Sequence, residues 1–195
     1  MKSLKGTKTA ENLMKAFAGE SQAKNRYSYY ASVAKKEGYV QIANIFLETS
    51  ENEGAHAKRF LKFLVEDLNG EAVEINGAAY PAALGDTKFN LKAAAEGENE
   101  EWTTLYPSFA ATAEEEGFPA VAAAFKLISK VETAHEKRYN KLLENLEKEE
   151  VFKKQASTFW KCLNCGYIYE GTEAPKTCPA CLHPQAYFEL LSENY

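Results

Sequence analysis

Residues 42–63 read IANIFLETSENEGAHAKRFLKF. Taken as a helix, this stretch has a seam of Ile42, Phe46, Thr49, Glu53, His56, Phe60 and Phe63, at spacings of 4, 3, 4, 3, 4 and 3. That spacing is one face of an amphipathic helix. Two of its positions hold a carboxylate and an imidazole where hydrocarbon is expected. The anomaly recurs later, on the seam Val121, Phe125, Ile128, Glu132, His135, Tyr139 and Leu142. The whole of 34–60 (AKKEGYVQIANIFLETSENEGAHAKRF) matches 113–139 (AEEEGFPAVAAAFKLISKVETAHEKRY) at a constant offset of 79, so that Glu53 falls on Glu132 and His56 on His135.

Working outward, four long helical patterns precede the cysteines, over about Thr9–Lys36, Val40–Leu68, Leu91–Glu116 and Ala120–Leu146. Each of the first three stops at a glycine (Gly38, Gly70, Gly117), and Pro119 suits the start of the fourth. Short turns join the first pair and the second pair, which makes each an antiparallel hairpin. Between the pairs lies a connection of about 20 residues, 69–90. A long loop in a compact domain needs a reason, and a crossover running the length of a bundle supplies one. The expected fold is an all-α four-helix bundle of the ferritin-like kind, with one long crossover.

The first and third helices also carry acids on their seams. Glu20 lies with Leu13, Phe17, Tyr27 and Tyr30, and Glu98 and Glu101 lie with Leu91, Ala94, Leu105 and Phe109. These two helices repeat less cleanly: Glu20 and Glu98 are 78 apart, whereas Tyr27 and Tyr106 are 79 apart. The third helix therefore holds one extra residue between its carboxylates and its tyrosine, which predicts a π-bulge there.

Five carboxylates and two imidazoles thus sit on seams, well inside their helices. Burying an unpaired carboxylate costs several kcal/mol, and five together need compensating charge. Two divalent ions bring four positive charges and leave about one net negative charge. Glu and His three apart project to the same side of a helix. One Glu from each of two helices, with Glu-x-x-His from the other two, is the known ligand set of di-iron carboxylate bundles. Histidines satisfied within an apolar core are the bland alternative, and they leave the doubled motif and the repeat unexplained. Glu96, Glu100 and Glu114–Glu116 read as solvated faces. Oxygen-dominated ligation with imidazole suits iron or manganese. Glu101 exceeds the six-ligand pattern, and we expect it to exchange with His56 as the charge of the ions changes. Tyr27 and Tyr106 are candidate donors that orient ligands, or else aromatic core filling.

All four cysteines fall in the last 34 residues, within WKCLNCGYIYEGTEAPKTCPACLHPQAYFEL (160–190). Cys162 and Cys165 form one C-x-x-C pair, and Cys178 and Cys181 form another. Two such pairs make a tetrahedral thiolate site. Gly166 permits a left-handed turn after the first pair, and Pro179 stiffens the second. Trp160, Tyr167, Tyr169 and Phe188 are the expected aromatic core of this module. Spacing alone leaves zinc or iron open. The neighbouring site argues for iron, because a redox-active metal pair needs one-electron delivery. The expected organisation is 1–147 for the bundle, 148–158 for a charged linker, and 159–195 for the cysteine module.

A formal net charge of −5 gives no general attraction for nucleic acid or anionic membrane. No run approaches the 18 apolar residues of a membrane span, and the N-terminus lacks an apolar targeting core, so a cytoplasmic protein is expected.

Taken together, Glu20, the Glu53/His56 and Glu132/His135 pairs, GENEEWTTLYPSF (97–109) and the cysteine segment resemble the rubrerythrin family over nearly the whole chain. The C-terminal part resembles a rubredoxin domain. The resemblance implies two Fe in an oxo- and carboxylate-bridged di-iron site and one Fe in the four-cysteine site, with Zn as a possible substitute. It also implies an NADH-peroxidase-type activity, reducing hydrogen peroxide to water in an anaerobe or microaerophile. Electrons would come from rubredoxin or a separate NAD(P)H-dependent reductase, and the protein would be a homodimer. Helix four runs at least 11 residues past His135, about 17 Å at 1.5 Å per residue, so a head-to-tail dimer would bring each cysteine site beside the partner's acids. Two other readings compete. A ferroxidase or iron-storage protein has no use for the cysteine tail, and a non-enzymatic electron carrier or zinc-ribbon interaction protein leaves the seam carboxylates unexplained.

Overall fold

The computed structural model describes residues 2–194. Helix α1 spans Lys8–Lys36 and α2 spans Val40–Leu68. Helix α3 spans Thr87–Glu100, a π-helical turn covers Glu101–Leu105, α4 spans Tyr106–Glu115 and α5 spans Pro119–Glu147.

The hairpin turns follow from glycine. Gly38 sits at φ +88° and Gly117 at φ +78°, the left-handed region that ends helices cheaply only at Gly. In each case the residue after the glycine reaches back to the helix: Tyr39 N–H to Ala34 O at 2.8 Å, and Phe118 N–H to Ala113 O at 2.7 Å. At the end of α2 both Asn69, at φ 46°, and Gly70, at φ +90°, turn left-handed.

The third segment differs from expectation in two ways. It begins at Thr87 rather than Leu91, because Asp86 caps it: the Asp86 side chain accepts from Phe89 N–H at 2.7 Å. And it is not one helix. The expected extra residue opens a π-turn, where Tyr106 N–H donates to Glu101 O, five residues back. Pro107 follows at once. Lacking an N–H, it cannot continue an α-ladder through this point. The crossover over 69–86 contains no helix or strand and lies along α1, tied by Tyr80 Oη to Lys15 O (3.0 Å) and Tyr30 Oη to Ala83 O (2.7 Å).

The bundle core is two apolar layers with an acid layer between them. One layer includes Leu13, Ala16, Phe60, Tyr106, Val121 and Phe125. The other includes Ala23, Tyr27, Ile42, Phe46, Leu91 and Tyr139. On every long helix the acids separate residues of one layer from residues of the other: Glu20 on α1, Glu53 on α2, Glu98 on α3, Glu132 and His135 on α5. All five are buried, the four acids to 1% exposure or less.

The C-terminal part is a three-stranded antiparallel sheet in the order β2-β1-β3, with β1 Lys153–Cys162, β2 Ile168–Glu173 and β3 Phe188–Leu190. The second half of the expected linker, 148–158, is therefore already strand. Trp160 and Phe188 are buried in the module core, with Tyr167, Tyr187 and Phe152 packed against it. Tyr169 is not part of that core; it lies 37% exposed on the sheet surface. Phe152 stacks on Tyr39 (centroids 6.1 Å, 7° between planes), which seats the module at the α1–α2 turn.

Candidate metal centres

Four helices bring six side chains to one level. Donor atoms of Glu20, Glu53, His56 and Glu132 all lie within 4.8 Å of one another, as do those of Glu53, Glu98, Glu132 and His135. Glu53 and Glu132 belong to both groups. The arrangement is nearly two-fold. His56 Nδ1 lies 3.0 Å from Glu53 Oε2, 3.0 Å from Glu132 Oε1 and 3.7 Å from Glu20 Oε2. His135 Nδ1 lies 2.8 Å from Glu132 Oε2, 3.2 Å from Glu53 Oε1 and 3.7 Å from Glu98 Oε2. Tyrosines complete the symmetry: Tyr27 Oη donates to Glu98 Oε1 at 2.6 Å, and Tyr106 Oη donates to Glu20 Oε1.

Glu101, expected as a seventh member, is not among the mutually close donors of either group, although the charges of Glu20, Glu98, Glu132 and Glu53 act on it. It is half-buried on the π-turn and lines a cavity together with Tyr106. The residues that hold this turn carry no seam signal. Trp102 Nε1 donates to Glu136 Oε2 at 2.5 Å, and Asn99 Nδ2 donates to Glu136 Oε1 at 3.2 Å. Pro107, lodged in an otherwise helical pattern, was the available signal for it.

Electrostatics make the cluster costly. Burial, then the charges of Glu53 and Glu132, push Glu20 well above the usual carboxylate range. Burial and Glu53 push Glu98 up to about 8. Burial, then Glu20 and Glu98, raise Glu101 strongly. Burial acts upward on Glu53 too, but contacts with His135 and His56 outweigh it and hold that acid down at about 2. For the histidines burial acts downward, yet the surrounding carboxylates win: His135 rises to about 11, and His56 rises as well. Burial and the nearby acids also raise Tyr27 and Tyr106, so both phenols remain donors.

The fit to metal rests on orphaned atoms. Glu20 Oε2, Glu53 Oε1, Glu98 Oε2 and both Glu132 oxygens are buried without a hydrogen-bond partner. Such atoms cost about 1–3 kcal/mol each, more when charged. Two cations between the helices would satisfy them together, and an oxygen-rich set with imidazole suits iron or manganese.

The cysteines form a second centre. Cys162 and Cys181 sulfurs lie 3.7 Å apart, and so do those of Cys165 and Cys178. Thiolates about 2.3 Å from a tetrahedral centre have edges of about 3.8 Å. The loops follow matching paths: Gly166 N–H bonds Cys162 O at 2.8 Å, and Leu182 N–H bonds Cys178 O at 2.9 Å. Both residues are left-handed, Gly166 at φ 77° and Leu182 at φ 61°. Leucine in that conformation, and 79% exposed beside Cys181, has no precursor in the spacing argument. The backbone N–H of His183 holds Cys181 down at about 6. At Cys165 the Tyr167 N–H also acts downward, but the neighbouring thiols prevail and raise it to about 12.

Comparison with known proteins agrees with this geometry. A family model described as rubrerythrin matches residues 11–157, and one described as rubrerythrin, rubredoxin-like domain, matches 160–189. The chain is 75% identical to Rubrerythrin-1 of Clostridium acetobutylicum over 195 residues, covering 100% of both chains. It is 51% identical to rubrerythrin of Nitratidesulfovibrio vulgaris over 196 residues, again covering 100% of both. Among solved structures, nigerythrin in a fully reduced, all-ferrous state is 30% identical, with a TM-score of 0.64 over 97% of this chain and 92% of that one.

Proposed function

The chain belongs to the rubrerythrin family, and we propose that it reduces hydrogen peroxide to water with electrons relayed through its cysteine centre. Membership brings a di-iron carboxylate site and a four-cysteine rubredoxin-like site. We assign Glu20, Glu53, His56, Glu98, Glu132 and His135 as the di-iron ligands, with Glu53 and Glu132 shared. Glu101 is a further ligand that exchanges with His56. Cys162, Cys165, Cys178 and Cys181 hold the single iron. The two functions divide between 1–147 and 159–195, with 148–158 joining them and its second half already part of β1.

The observation that carries this reading is the co-occurrence of buried, orphaned carboxylates with a tetrathiolate of metal-ready dimensions. When bound and reduced, the iron pair supplies the two electrons that part the O–O bond of peroxide. The balance is one peroxide, two electrons and two protons to two waters. The protein's part is to place proton donors and exclude bulk solvent. Tyr106, bonded to Glu20 and facing a cavity, holds a proton where an incoming oxygen species can accept it. Tyr27 fixes Glu98, and the two apolar layers bound the acids on either side.

Electrons arrive singly from the cysteine centre. The module packs at the α1–α2 turn, and Glu53 lies 13 residues along α2 from Val40, about 20 Å at 1.5 Å per residue. That separation within one chain supports delivery from the partner in a head-to-tail homodimer. The upstream donor is rubredoxin or an NAD(P)H-dependent reductase. No helix among the described residues is long and apolar enough to cross a membrane, and we place the protein in the cytoplasm, defending an anaerobe or microaerophile against oxidative stress.

Metal analysis with a stopped-flow peroxide titration tests this. The purified protein should be red, and its reduced form should reoxidise with about one equivalent of peroxide per di-iron site, much faster than with dioxygen. A colourless protein with zinc in the cysteine site, or faster turnover of Fe(II) with dioxygen, would overturn the proposal. Mixing a protomer lacking cysteines with one lacking di-iron ligands should restore turnover if electrons cross between subunits.

A further inference from the structure

A cavity of about 260 Å³ opens between α1, the crossover and the π-turn, and its lining includes Glu101 and Tyr106. None of the six clustered acids and histidines lines it, nor any of four other surface depressions, but this cavity alone among the five is lined by Tyr106, whose hydroxyl donates to Glu20. The volume holds several waters at roughly 30 Å³ each. Tyr106 thus stands between the cavity, which it lines, and Glu20, which its hydroxyl meets inside the bundle. The cavity's outer wall is the crossover, where Tyr80 is pinned by the bond from its hydroxyl to Lys15 O.

Two lining residues are glycines in helix interiors, Gly19 on α1 and Gly97 on α3. Glycine there costs about 1 kcal/mol relative to alanine. Neither has a positive φ, so backbone conformation does not demand it. Nor does packing. A Cβ on Gly97 would meet nothing within 4 Å, and one on Gly19 would meet only Tyr80 Cε1, at an ordinary 3.6 Å. What Gly19 and Gly97 share is the cavity into which a side chain at either would project.

We propose that this cavity is the route by which small peroxides reach the acid cluster, and that Gly19, Gly97 and Tyr80 set its bore and so select substrates by size. Bare helix backbone on two sides leaves a passage for a molecule little larger than water. The Tyr80 ring, resting against Gly19, narrows it for bulkier ones. Alkyl hydroperoxides share the reactive O–O group and differ in girth. This rests on the peroxidase reading above.

The test uses full-length, iron-loaded protein. Gly97→Leu should load the same amount of iron as wild type, because none of the six converging side chains lines the cavity, and its apoprotein should melt no lower, because leucine is the better helix former. Its second-order rate constant with hydrogen peroxide should fall by about tenfold or more, as should its affinity for azide, a small anion followed by absorption rather than turnover. Tyr80→Ala, on the exposed crossover, should raise the rate with tert-butyl hydroperoxide relative to hydrogen peroxide by a similar factor. Wild-type peroxide and azide behaviour in Gly97→Leu, or an unchanged ratio in Tyr80→Ala, overturns the route. If wild-type protein consumes no peroxide, the peroxidase reading fails, and the azide comparison alone decides the route.

Discussion

The Tyr27 hydroxyl on α1 donates to Glu98 Oε1 on α3 at 2.6 Å, across the bundle. Through this bond a phenol that the sequence would equally allow as core filling becomes the device that orients a buried acid. Tyr27→Phe removes only the donor and leaves the ring contacts with Phe46 and Tyr139 in place. We expect a fold intact by circular dichroism and iron affinity weakened by about 10–100-fold in chelator competition, the usual cost of losing such a support. Undiminished affinity would return Tyr27 to a packing role.

Glu53 belongs to both groups of converging donors, whereas Glu20 belongs to one. Glu53→Ala should therefore strip the bundle of nearly all its iron, while Glu20→Ala should retain about one ion per chain. Elemental analysis of the two variants, with the cysteine iron subtracted, decides it. Equal losses would show that the acid is not shared.

Proton linkage sets an unusual pH dependence for the iron-free protein. Folded Glu98 keeps its proton to about pH 8, against an ordinary value of 4.5. The unfolded chain then binds fewer protons over that window, so stability falls as pH rises from 4.5 to 8. His135, raised to about 11 from 6.5, stabilises fully below pH 6.5 and loses that contribution as pH climbs toward 11. Glu53, lowered to about 2, stabilises above pH 4.5 and loses that as pH drops toward 2. The apoprotein should be most stable near pH 5, and loading iron at neutral pH should release protons. Urea midpoints across pH 3–9 check the curve; an apoprotein firmer at pH 8 than at pH 5 would contradict it.

The π-turn is one residue long in excess, and Thr103 within it is exposed. Deleting Thr103 should restore an ordinary helix and rotate Glu98 about 100° relative to Tyr106. Helix content should persist while bundle iron falls below two per chain. A milder change, Trp102→Phe, cuts the bond to Glu136 and should lower iron affinity without abolishing it. Retention of full affinity in both would show that the turn does not position the acids.

Much of this site is legible in residue order, for a physical reason. Glu53 and His56 betray themselves because a helix converts spacing into facing, and burial makes an acid on an apolar face an exception that needs explaining. The extra residue before Tyr106 is readable because the first half of the chain serves as its ruler. Other features lie outside what periodicity can convey. The start of α3 depends on a cap bond from Asp86 rather than on seam spacing. The exposed Tyr169, the strand beginning at Lys153 and the left-handed Leu182 are set by sheet pairing and loop closure, which a short segment does not announce. Glu101 shows the limit best: its seam position is plain, but that it sits on a π-turn, lining a cavity while feeling the charges of Glu20 and Glu98, is not.

The two halves of the bundle repeat one helical hairpin, 34–60 matching 113–139. The places matching Glu101 in the first half are Gln22 and Ala23, neither acidic. The second half thus holds a residue and an acid that the first half lacks. The bundle's two iron seats are not equivalent, and the ions they hold should differ in redox potential, so that one accepts its electron before the other.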